Sequence, residues 1–184
     1  VGYEALAAVG GSPAVIINLV IGIFTGLASG ATVIISQYYG SRDDERLSRA
    51  VHTILVFCAL SGVALTLLGW FSTPWSLRAV KTRADIFTLS ERYLKLYYLG
   101  SVPLLLFNVA SGILRAVGDS RWPLAYLGVC CALNIVLDLG FVAALDMGVA
   151  GVAWATVLSQ LVGAALILVH LARVKGPERL ELKR

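Results

Sequence analysis

Between Pro123 and Leu145 the chain has one carboxylic acid, Asp138, and no Lys, Arg, His or Glu. A helix of roughly 20 apolar residues, rising about 1.5 Å each, matches a hydrocarbon core about 30 Å thick. Four further runs, 13–36, 50–71, 93–114 and 148–172, have the same character. Lipid offers no water to backbone amides, so a segment this long and this uniformly apolar must satisfy its hydrogen bonds as a helix. The spacing therefore predicts an all-α integral membrane protein, a bundle of five transmembrane helices.

Asp138 is then a carboxyl group at membrane depth. Such a group costs roughly 2.5–3.5 kcal/mol on insertion scales, and its side chain is too short to reach the headgroups as Lys does. It has to face protein or water. Asn134 lies one helical turn earlier on the same face, so the two side chains form a compact oxygen-rich pair.

Composition agrees with this class. Hydrophobic residues make up 58% and charged residues 14% of the 184, against roughly 25% charged in a soluble domain. The net charge of +4 does not point to nucleic acid, because the basic residues fall in the gaps between apolar runs. Cys58, Cys130 and Cys131 lie inside those runs without CxxC spacing or a neighbouring His cluster, which excludes a disulfide framework or zinc site. The chain opens on Val1 with no cleavable signal pattern and reads as an internal fragment.

Taken in order, residues 1–12 are small and Gly-rich, and Pro13 opens the first crossing. Gly22, Gly26 and Gly30 recur every fourth residue, a spacing that predicts close approach of another helix, with Asn18, Thr25 and Ser29 on or beside that face. Interface aromatics in Ser36–Gly40 end this crossing, and 41–49 reads as a charged loop. The second crossing has His52 near its start and Trp70 and Trp75 at the far interface. From Pro74 to Arg92 the sequence predicts the longest connection, lying along the membrane surface. Pro103 should bend the third crossing, on which Ser101, Asn108, Ser111 and Gly112 form a polar stripe suited to a cavity lining or to packing. A short turn at 115–122 leads to the crossing with Asn134 and Asp138. A tight loop, Asp146–Gly148, leads to the last, where Thr156, Ser159, Gln160 and Gly163 cluster.

Lys and Arg set the orientation. One side receives three in 41–49, two in 115–121 and five in the tail; the other receives five, all in 74–95. The side with ten is expected to be cytoplasmic.

Five segments, Ala8–Pro13 (AVGGSP), Ser36–Gly40 (SQYYG), Leu114–Pro123 (LRAVGDSRWP), Asn134–Asp138 (NIVLD) and Gly148–Thr156 (GVAGVAWAT), resemble the multidrug and toxic compound extrusion (MATE) transporters in order and spacing. The resemblance covers nearly the whole chain. It implies helices two to six of a six-helix N-terminal lobe over residues 1–175, without helix one or the second lobe, and the start of a cytoplasmic linker at 176–184. It also implies a multi-pass protein of the cell (inner) membrane. Its partners are then the lipid bilayer, a small-molecule substrate, a coupling cation and the rest of a longer chain.

The same resemblance implies a site for a coupling cation, H⁺ or Na⁺, with Asn134, Asp138 and Thr156 as its counterparts and Asn108 a neighbour. No cofactor beyond that ion is implied. Occupancy by a cation would relieve a buried carboxylate and let the lobes exchange outward-open and inward-open states, expelling a bulky, often cationic drug-like compound. Two other readings stand beside the antiporter: a lipid-linked oligosaccharide flippase of the same superfamily, which calls for a basic cavity, and a non-transporting membrane scaffold subunit. The central crossings carry no Lys or Arg, which favours the antiporter. No GxxxxGK[ST], HExxH or Ser-His-Asp arrangement at membrane depth suggests an enzyme, and His52 and His170 lie near run ends.

Overall fold

The structure, a computed structural model, describes residues 3–174, 176 and 178–180. It is helical throughout: α1 Tyr3–Gly10, α2 Ser12–Gly40, α3 Asp44–Ala79, α4 Phe87–Leu99, α5 Ser101–Ala116, α6 Arg121–Asp138 with a π-helical extension Leu139–Ala144, and α7 Gly148–Arg173. Among the described residues, four helices are long and apolar enough to cross a membrane, and the pair α4 and α5, bent by 47°, passes the same test when taken together.

The centre of the bundle is α5, which packs against α2, α3 and α7. Its buried face, Leu105, Val109, Ala110, Ile113 and Leu114, meets Val20, Phe24, Ala28, Ala31 and Ile35 of α2. Lipid tails are as apolar as leucine, so close fit rather than water exclusion holds such helices together. Gly112 provides that fit, since a Cβ there would run into Thr32 and the Ala28 carbonyl of α2. The tail folds back on α7, with the Leu180 amide donating to the Leu171 carbonyl at 3.0 Å; residues 181–184 of the expected linker lie outside the described residues.

Several expectations need correction. The run 41–49 is not all loop, because Asp43 caps α3 by accepting from the Arg46 amide at 3.0 Å, and Asp44 and Glu45 suit the positive end of the helix dipole. The same helix continues through Pro74 to Ala79, where the Thr73 hydroxyl donates to the Gly69 carbonyl at 2.6 Å in the disturbed turn. The long surface connection thus shrinks to 80–86. The stripe Gly22, Gly26 and Gly30 also differs from its expected packing role, since among the described residues nothing beyond their own helix backbone comes within 4 Å of a Cβ at any of the three. α2 packs through its opposite face, and Gly26 and Gly30 border an open groove beside α3.

Candidate functional site

Asp138 ends the α-helical part of α6. It is half-buried, and its Oδ1 is sealed from solvent with no hydrogen-bond partner. The backbone then widens into the π segment, with the Leu145 amide donating to the Gly140 carbonyl at 3.1 Å. The sequence predicted a uniform helix to Leu145. Single π turns inside helices recur at functional sites.

Side-chain contacts fix the register between the antiparallel helices α6 and α7. The Trp122 and Tyr126 rings lie beside His170, with centroids 5.0 and 5.8 Å away. Further along, Cys130 lies against Gly163 and Phe141 against Gly151. Between the last two contacts, this register sets Asn134 level with Ser159 and Asp138 level with Trp154 and Ala155, with Thr156 between the two levels. The Thr156 hydroxyl donates to the Val152 carbonyl at 3.0 Å, leaving its oxygen free to accept. Ser159 donates to the Thr156 carbonyl at 2.9 Å.

Tyr93, a buried residue of α4, is near enough to feel the Asp138 charge although α4 and α6 make no direct helix contact. Nothing in the sequence singled it out, because a tyrosine at the start of an apolar run reads as an interface residue. Ser101, at the bend between α4 and α5, is fully buried with an unpartnered hydroxyl. Its neighbour Gly100 lies against Gln160 and Val157 of α7.

Asn108 is placed elsewhere. Its amide donates to the Leu104 carbonyl at 2.8 Å, and it lines a cavity of about 360 Å³ between α5 and the first half of α6, with Phe107, Ser111, Arg115 and Leu127 among the lining. Leu127 precedes Asp138 by about 16 Å of helix. Asn108 is therefore not gathered with the carboxylate, while Asn134 precedes it by one turn on the same helix and Thr156 lies within about a turn of it along α7.

Among the described residues there is no group of three or more His, Cys, Asp or Glu able to hold a metal ion. One carboxylate among amide and hydroxyl oxygens suits a proton or a small hard cation better than a transition metal.

The fold and this buried polar level define a helical bundle that spans a membrane and keeps an ionisable group inside it. A sequence model of the MatE family matches residues 1–140, and the chain belongs to that family. It is 33% identical over 180 residues to the probable multidrug resistance protein YoeA of Bacillus subtilis (strain 168), covering 96% of this chain and 39% of the relative. To the probable multidrug resistance protein YpnP of the same organism it is 31% identical over 159 residues, covering 86% of this chain and 36% of the relative. The chain thus spans less than two fifths of the length of these curated relatives.

Among solved structures, it superposes on an outward-facing conformation of a multidrug resistance MATE family transporter of the MOP superfamily with a TM-score of 0.89, 29% identity, and coverage of 99% of this chain and 40% of that one. The inward-facing conformation matches at 0.88, with 28% identity and coverage of 95% and 40%.

Proposed function

We propose that this chain forms most of the N-terminal lobe of a cation-coupled efflux transporter, exporting drug-like or cationic organic compounds in exchange for H⁺ or Na⁺. The observation that carries the reading is the sealed, unpartnered Oδ1 of Asp138, one helical turn beyond Asn134 on α6 and within about a turn of Thr156 along α7. A carboxylate so placed is stabilised when a cation joins it and penalised when bare, so ion occupancy and helix arrangement are linked. Asn134 and Thr156 supply neutral oxygens to the same ion. The near-equal likeness to inward-facing and outward-facing structures supports a lobe that moves as a unit, with alternation arising between lobes. In this reading a further helix and a second lobe complete the cavity, the side richer in Lys and Arg faces the cytoplasm, and the membrane is the cell membrane. A flippase would call for a basic cavity, whereas Arg115 is the single cation lining the cavity between α5 and α6.

The test is Asp138→Asn in the full-length protein reconstituted in liposomes. Ion-driven efflux of a fluorescent cationic dye falls to background while insertion and yield are retained. Undiminished efflux by the variant would refute the role.

A further inference from the structure

At the end of the bundle richer in Lys and Arg, a second titratable cluster stands well apart from Asp138. His170, in the last turn of α7, places Nδ1 3.1 Å from the Tyr126 hydroxyl of α6. Its Nε2 is buried without a hydrogen-bond partner and lies 3.9 Å from Oδ2 of Asp119, in the turn between α5 and α6. The Trp122 ring is 5.0 Å from the imidazole and stacks on Tyr126 at 5.7 Å. Asp119 is itself held in place, since its Oδ1 accepts from the Arg121 amide at 3.2 Å.

Two of these contacts depend on the charge of the imidazole. At 3.9 Å the pair His170 and Asp119 is too long for a hydrogen bond, so the attraction becomes strong only when the ring carries a second proton. A cationic ring within about 6 Å of an indole face also gains a cation–π attraction. The third contact survives either way: neutral Nδ1 accepts from the Tyr126 hydroxyl, and protonated Nδ1 donates to it. The charged groups at this end are these: Arg173 follows on α7, exposed Arg121 precedes Trp122, Arg179 of the tail holds the Ala172 carbonyl at 3.2 Å, Glu178 beside it is buried, and Arg115 turns into the cavity between α5 and α6.

The position matters because α6 has few other ties. None of its membrane-spanning window is buried, it barely touches α5, and α7 is its main neighbour. Tyr126 and Asp138 are 12 positions apart on it, about 18 Å along the axis.

We propose that His170, with Asp119, Tyr126 and Trp122, is a second proton-binding site, one that tightens α6 against α7 when the adjoining aqueous phase becomes acidic. It restrains the helix that carries Asn134 and Asp138. The latch does not rest on Asp138 being an ion site and would stand if Asp138 bound none.

Protonated imidazole quenches a neighbouring indole, which gives a direct readout. In the full-length protein with Trp122 as its sole tryptophan, emission falls on going from mildly alkaline to acidic buffer. His170→Gln removes this change. Asp119→Asn, which keeps the imidazole, leaves less quenching than wild type at the same acid pH. Asp138→Asn leaves the response intact, which separates this site from the ion site. Hydrogen exchange in the first turns of α6, corrected for intrinsic pH dependence, slows on acidification in wild type and not in His170→Gln. Flat emission in the wild type, a response that persists in His170→Gln, or exchange unaffected by acid would overturn the proposal.

Discussion

The Thr66 hydroxyl of α3 lies 2.9 Å from the Tyr98 carbonyl of α4, two residues before the break at Gly100, and equally 2.9 Å from its own Gly62 carbonyl. One proton is shared between two acceptors, one in each helix. The Tyr98 ring meanwhile covers Gly69 on α3. The bent span is thus braced against a long helix by a hydroxyl and, less than one turn further on, by a ring.

Thr66→Val keeps the shape of the side chain and removes the donor, leaving the Tyr98 carbonyl without it. The expected loss is about 1 kcal/mol, read as a lower unfolding midpoint of the detergent-purified protein. Thr66→Ser should restore most of it, because the hydroxyl returns.

Two glycine substitutions should part company. Gly112→Ala pushes a methyl group into Thr32 and the Ala28 carbonyl and is expected to cost about 1–3 kcal/mol by overpacking, seen as reduced yield of monodisperse protein. Gly26→Ala meets nothing within 4 Å and should be neutral or slightly stabilising, since alanine is the better helix former. A Gly26→Ala protein as unstable as Gly112→Ala would mean that another part of the full-length molecule packs on that stripe.

Substitutions at the polar level should separate by depth along α6. Thr156→Val removes an oxygen within about a turn of Asp138 and should raise the coupling-ion concentration for half-maximal transport by about tenfold, the equivalent of one hydrogen bond to a charged group. Asn108→Ala, further toward the Arg115 end, should leave that concentration unchanged. Dye efflux from liposomes at graded ion concentrations measures both.

The helices were legible because lipid forces a simple rule on the sequence: a run of about 20 apolar residues must be a helix. Asn134 and Asp138 draw notice for a related reason, since oxygen-bearing groups stand out against hydrocarbon, whereas Thr156 joins them only through the family resemblance. Boundaries were less legible. Asp43 and Pro74 both looked like punctuation, yet one begins a helix and the other sits inside it.

The bend was anticipated at Pro103 and occurs at Gly100. Proline lacks the amide that would bond the Leu99 carbonyl, so the ladder opens in the preceding turn. Tyr93 and the π segment left no pattern in the sequence, because both depend on how α4, α6 and α7 meet.

The wide turn after Asp138 also determines which kind of mutation the hairpin between α6 and α7 can least absorb. A π turn accommodates one more residue than an α turn, so deleting a single residue between Leu139 and Ala144 would let the segment rewind as ordinary helix. Each residue of an α-helix advances about 100° around the axis. Such a deletion would therefore leave the residues beyond it nearly in phase, whereas an added residue would exceed what the wide turn already takes up and would offset the return of α7 by that angle.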